Sequence, residues 1–210
     1  MSDQLKNEWI TVVTNMVLAL LSTFFGVSLL YQYNSSNLVG LGWMIFFLLF
    51  GINNVLAAFA HGLNENWFLM KWLWRCIYII TISMVLVLSF AAIKLSSGID
   101  PLKVLLIYSL VYFLIGGIIF RGGKNGWNFT LAYVFLLCIL NIVFLFLYYF
   151  SSQNVKALFL IAGILLAQIG LYFQFNLKKK QKKIYIFNYN DIFHFFLILA
   201  VLIAYFGMLP

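Results

Sequence analysis

Residues 76–93 read CIYIITISMVLVLSFAAI, a run of 18 residues without a charged side chain, and the basic residues Arg75 and Lys94 flank it. An α-helix of that length rises about 27 Å, at roughly 1.5 Å per residue. The hydrocarbon core of a bilayer is about 30 Å thick. Backbone polar groups in lipid must be bonded within their own segment, so the run predicts a transmembrane helix.

Apolar stretches of similar length recur along the whole chain. The predicted spans are 9–31, 38–63, 68–95, 104–120, 129–150, 157–175 and 188–209. Short polar linkers such as YNSSN at 33–37 separate them. The chain is 65% hydrophobic and only 9% charged, whereas soluble domains carry about 25% charged residues. We therefore predict one all-α domain over 1–210, a polytopic membrane helix bundle with seven transmembrane helices.

The basic residues are distributed unevenly between the two ends of these spans. If the N-terminus and the loops after spans two, four and six share one side, that side carries ten basic residues and the other side carries three. The ten are Lys6, Lys71, Arg75, Arg121, Lys124, Lys178, Lys179, Lys180, Lys182 and Lys183, and the three are Lys94, Lys103 and Lys156. Short cytoplasmic loops are enriched in Lys and Arg. The pattern predicts a cytoplasmic N-terminus and an external C-terminus.

The net charge of +8 does not indicate nucleic-acid binding, because the basic residues lie in short loops between apolar runs. The densest basic segment is KKKQKK, Lys178–Lys183. Beside a membrane span, such a cluster is typical of an orientation signal that also contacts anionic lipid headgroups. Membrane lipids are therefore the predicted partners, and the sequence identifies no protein partner.

Ionisable residues inside spans are costly and are the first candidates for a functional site. Asp3, Glu8 and Asp100 fall in the N-terminal tail or a loop, where exposure to solvent accounts for them. The other two acids, Glu65 and Asp191, each lie near one of the only two histidines, His61 and His194.

Helical spacing groups these residues on two faces. In span two, Asn54, His61 and Glu65 share one face if the helix persists that far. In span seven, Asp191 and His194 lie one turn apart. Both histidines are expected one to two turns below the same membrane surface.

Two chemistries are consistent with such a cluster. His61, His194 and Asp191 could ligate zinc, which binds His and Asp/Glu and lowers the pKa of a bound water. Glu65 or Asp191 would then act as general base and Arg75 as an anion contact, in a metal-dependent hydrolase of a lipid amide or ester.

The alternative is a non-enzymatic bundle that is receptor-like, carrier-like or partner-binding. Its carboxylates would pair with Lys71 and Arg75, or Asp191 would cap the N-terminus of span seven. Further polar residues inside the spans are interpreted as interhelical hydrogen-bonding groups, namely Asn15, Asn53, Asn141, Gln168 and Gln174.

Three segments carry a family resemblance: LAAFAHGL at 56–63, WLWRCIYI at 72–79 and NYNDIFH at 188–194. They resemble a prokaryotic seven-helix membrane family that is distantly similar to the alkaline ceramidase and adiponectin/progestin-receptor group of hydrolases. The resemblance implies a bacterial cytoplasmic (inner) membrane location.

It also implies a zinc ion near the cytoplasmic side, with His61 and His194 in two of the ligand positions. The sequence departs from that group elsewhere. Ala57 stands where the group has a serine, and Asn190 and Ile198 stand four residues on either side of His194. The third span contains no acid.

Overall fold

The computed structural model describes residues 3–32, 37–62, 68–96, 100, 102–104, 106–111, 114, 125–180 and 187–209. Within these ranges the chain is mainly helical. The helices are α1 (Asp3–Gln32), α2 (Leu38–Gly62), α3 (Phe68–Ser96), a short α4 (Leu102–Val111), α5 (Asn125–Ser152), α6 (Lys156–Lys180) and α7 (Tyr189–Met208).

Six of these helices, all except α4, are long and apolar enough to cross a membrane. Large apolar side chains such as Leu20 and Phe24 are exposed on the outside of α1, as a lipid-facing surface requires. These features indicate an integral membrane protein. The predicted fourth span, 104–120, is matched by α4 only up to Val111, and most of its remainder lies outside the described residues.

Several helices extend beyond the predicted spans. The sixth predicted span ends at 175, whereas α6 continues to Lys180 and so includes the first three residues of the basic run. Lysine has a high helix propensity, so a helix that leaves the hydrocarbon layer does not have to end there. Hydropathy marks where the chain leaves lipid rather than where the helix stops.

The six long helices form a closed ring. Each of α1, α2, α3, α5 and α6 packs against the next long helix in the sequence, and α7 packs back against α1. The apolar core between the helices includes fully buried side chains such as Leu18, Phe47 and Ile82. The ring leaves space at its centre, where the candidate site is found.

Glycines allow two seams of this ring to close tightly. A Cβ at Gly51 of α2 would lie 2.6 Å from Thr23 Oγ1 of α1. On the α6–α7 seam, a Cβ at Gly163 would lie 2.9 Å from the Ala200 carbonyl oxygen, and one at Gly207 would lie 2.8 Å from the Lys156 carbonyl oxygen. Small residues permit this close backbone approach between membrane helices.

Candidate functional site

A cavity of about 1160 Å³ occupies the centre of the helix ring. Its lining extends along α2 from Trp43 to His61 and along α7 from Tyr189 to Met208. These stretches cover 18 and 19 residue steps, or about 27 to 29 Å of helix. The cavity is therefore long, and it follows the helix axes through most of the thickness of a bilayer.

The two ends of the cavity differ in chemistry. At one end the lining includes the charged or titratable residues Glu8, His61 and Lys71. At the other end it is formed by apolar side chains such as Leu160 and Met208. We call the first the polar end and the second the apolar end.

His61 is paired with a carboxylate at the polar end. Its Nδ1 lies 2.8 Å from Glu8 Oε2, and the two side chains are 15% and 34% exposed. The ring also makes an edge-on contact with Trp74, with 5.5 Å between the centroids. The carboxylate and the indole together fix the orientation of the imidazole, so that it forms part of the cavity wall.

His194 belongs to the same cavity wall but lies deeper in the bundle. Its Nδ1 is hydrogen-bonded to Thr14 Oγ1 at 2.8 Å, and the side chain is buried. One turn earlier on α7, Asn190 Oδ1 accepts a hydrogen bond of 2.7 Å from Gln174 Nε2 of α6. These bonds tie the first turns of α7 to α1 and α6.

Asp191 is fully engaged in the start of α7. Asn188 is the N-cap, and its backbone N–H donates to Asp191 Oδ2 at 2.8 Å, which completes a capping box. Thr11 Oγ1 of α1 donates to the other carboxylate oxygen at 2.6 Å. The Asp191 side chain is only 1% exposed. It therefore caps α7 and joins this helix to α1.

The structure distributes the predicted site residues over different places. His61 and His194 line the same cavity. Asp191 is held at the α1–α7 joint, and Arg75 lies over the Trp72 ring, 4.8 Å from its centroid. Neither is among the described residues that line the cavity, and Glu65 lies outside the described part of the chain. Within that part, no three His, Cys, Asp or Glu side chains form a group that could hold a metal.

The predictions from the sequence do not include the contribution of α1. Glu8, Thr11 and Thr14 supply the partners of His61, Asp191 and His194, whereas the sequence predicts only a solvent-exposed position in the N-terminal tail for Glu8. Glu8, Thr11 and Asn15 follow one another at spacings of three and four residues, the repeat of one helix face. That polar stripe in the first apolar segment was the available signal.

Comparison with known proteins places the chain in a family. Residues 10–209 match the model of a family described as Family of unknown function (DUF6962). The chain belongs to this family, and the match covers the six membrane-length helices except for the first residues of α1. Searches of curated proteins and of solved structures gave no match. The comparisons therefore add no support for the resemblance to the ceramidase and adiponectin/progestin-receptor group.

Proposed function

We propose that this membrane bundle binds a long amphipathic lipid in its central cavity, with the lipid's polar head at the polar end. The observation that carries the proposal is the shape and chemistry of the cavity. It is about 1160 Å³ in volume, it extends about 27 Å along α2, and its polarity falls from one end to the other. Ligand sites are typically concave and mostly apolar, with a few placed polar groups.

The residues at the polar end suit a polar or acidic headgroup. Lys71 is exposed and supplies a positive charge. The His61–Glu8 pair supplies oriented donor and acceptor atoms. By the asymmetry of basic residues, this end faces the cytoplasm. A hydrocarbon chain would extend from it toward Leu160 and Met208, where apolar burial contributes about 0.8 kcal/mol per methylene.

The variant Ala167→Phe tests this proposal. Ala167 of α6 lines the cavity, and a phenyl ring there would occupy the space of the lipid chain. We expect the variant to bind a fluorescent straight-chain fatty acid at least about tenfold more weakly than the natural protein, since a tenfold loss corresponds to about 1.4 kcal/mol. The measurement is a fluorescence titration in detergent.

Ala162→Phe is the matched control. Ala162 lies on the same helix but is not among the described cavity-lining residues. It should bind the fatty acid as the natural protein does. Equal binding by all three proteins, or binding by none, would contradict a lipid site in the cavity.

A metal-dependent hydrolase of a lipid amide or ester is the second candidate, and one observation favours it. His61 and His194 line the same cavity, and an oxygen atom orients each ring through Nδ1. Oxygens commonly orient metal-bound imidazoles in this way. Nε2 of each ring would then be the ligand atom for zinc. Asp191 is not among the described residues that line the cavity, so it could become a third ligand only if its side chain moved.

Elemental analysis separates the two candidates. The hydrolase hypothesis predicts about one zinc per chain in the purified protein. It also predicts that the metal is lost in His61→Ala and in His194→Ala. Lipid binding alone predicts the same metal content, well below stoichiometric, in all three proteins.

A further inference from the structure

Three amide oxygens of the cavity lining are buried without a hydrogen-bond partner. They are Asn15 Oδ1 of α1, Asn53 Oδ1 of α2 and Gln168 Oε1 of α6. Asn15 is only 1% exposed. A buried acceptor without a donor costs about 1–3 kcal/mol. Three such oxygens around one cavity therefore indicate that a bound molecule supplies the donor.

The orientation of two of these amides is fixed by their nitrogens. Asn15 Nδ2 donates to the Thr11 carbonyl at 2.9 Å. Asn53 Nδ2 donates to Thr81 Oγ1 at 3.3 Å, and the Thr81 hydroxyl itself donates to the Ile77 carbonyl at 2.7 Å. Because each nitrogen donates to an acceptor, a 180° flip of either amide would place its oxygen against that acceptor and break the bond.

The unpaired oxygens of α1 and α2 lie at one depth. The Glu8–His61 bond sets these two helices at a common level. Asn15 lies seven residues after Glu8 on α1, a distance of about 10.5 Å along the helix. Asn53 lies eight residues before His61 on α2, a distance of about 12 Å along the helix. The two residues therefore differ in depth by about one residue step.

The oxygen of α6 belongs to the same layer. The Gln174–Asn190 bond sets α6 and α7 at a common level. Gln168 is six residues deeper on α6, about 9 Å, and His194 is four residues deeper on α7, about 6 Å. His194 is hydrogen-bonded to Thr14, the residue before Asn15. Residues of four helices thus surround the cavity within about one helical turn, and we call Asn15, Asn53, Gln168 and His194 the acceptor layer.

The acceptor layer suits neutral hydrogen-bond donors better than a metal ion. Among the described residues that line the cavity, Glu8 is the one carboxylate, and it lies about 10.5 Å from the layer along α1. A cation held there would be buried without a neighbouring negative charge, which is costly. A hydroxyl or an amide N–H matches the free oxygens without that cost.

We infer that the acceptor layer binds a hydrogen-bond donor carried partway along the lipid chain, a hydroxyl or amide N–H group. This inference rests on the lipid-binding function proposed above and narrows its ligand class. The ligand would then carry two polar regions, a head at the polar end and a donor group deeper in the cavity. An unsubstituted fatty acid would leave the three oxygens unpaired.

Three probes that differ at a single mid-chain carbon test the inference: stearate, a mid-chain hydroxystearate and the corresponding oxostearate. The hydroxyl can donate and the ketone can only accept. We expect the natural protein to bind hydroxystearate about tenfold more tightly than oxostearate, because an unpaired buried acceptor costs about 1–3 kcal/mol. Dissociation constants from competition with the fluorescent fatty acid measure this.

Gln168→Leu removes one acceptor with little change in volume. We expect this variant to lose much of the preference for hydroxystearate over oxostearate, which is read as the ratio of the two dissociation constants. If the natural protein binds all three probes equally, the inference is overturned while the lipid site stands, and the oxygens are then hydrated by water only. If none of the probes binds, both the inference and the proposed function are overturned.

Discussion

Asp191→Ala is expected to lower the stability of the folded bundle by about 2–4 kcal/mol, since it removes a helix-capping contact and leaves buried donors without an acceptor. The loss has two sources. The Thr11 hydroxyl and the Asn188 backbone N–H both donate to this carboxylate. Replacing the carboxylate with a methyl group removes the acceptor of both bonds, and the Thr11 and Asp191 side chains are almost completely buried. Thermal unfolding of the detergent-purified protein measures the effect as a lower melting temperature.

A double-mutant cycle with Thr11→Val separates the two sources. Thr11→Val removes the hydroxyl donor and keeps the shape of the side chain. If the Thr11–Asp191 bond contributes as its 2.6 Å length indicates, the double variant should lose less stability than the sum of the two single variants. A melting temperature of Asp191→Ala within about one degree of the natural protein would show that the residue does not join α7 to α1.

A reporter enzyme that is active only in the cytoplasm should be fully active when fused after Lys183 and silent when fused after Pro210. The reason is the excess of Lys and Arg, ten against three, on the side of the N-terminus, because short cytoplasmic loops are enriched in these residues. The effect is all-or-none, because a folded reporter lies on one side of the membrane or the other.

A fusion at Gln153, between α5 and α6, is an independent check. It should be silent like the fusion after Pro210, because α6 separates it from the basic run. A second reporter that is active only outside the cytoplasm should give the opposite pattern. Activity after Pro210 and silence after Lys183 would reverse the orientation and would place the polar end of the cavity outside the cell.

Hydropathy alone was sufficient to predict most of the fold. Six predicted spans match helices that are long and apolar enough to cross a membrane, because length and the absence of charge are what the bilayer selects. Helix ends were less predictable. The continuation of α6 to Lys180 depends on hydrogen bonding and helix propensity, which hydropathy does not measure.

The candidate site was predicted only in part, because ring closure could not be predicted from the sequence. The spacing of residues within span seven predicted that Asp191 lies near His194. The spacing within span two predicted that His61 lies on a polar face of that helix. It could not show that α1 packs against both α2 and α7, which brings Glu8 to His61 and Thr11 to Asp191. Among the polar residues predicted to form interhelical hydrogen bonds, Asn53 and Gln174 do so. The Asn15 nitrogen instead bonds to the Thr11 carbonyl of its own helix, and the side-chain oxygens of Asn15 and Asn53 remain unpaired.

The glycine contacts of the α6–α7 seam have a mechanical consequence. A Cβ at Gly163 or Gly207 would lie under 3.0 Å from a main-chain oxygen of the partner helix, so at these two points the main chains of α6 and α7 are in close contact, whereas at Gly170 the Phe196 side chain fills the seam. Side chains change rotamer within nanoseconds, whereas packed backbones shift only collectively and more slowly. We therefore expect α6 and α7 to move together as one rigid body. A molecule that enters the cavity sideways from the bilayer is therefore expected not to pass between α6 and α7 at the level of Gly163 and Gly207.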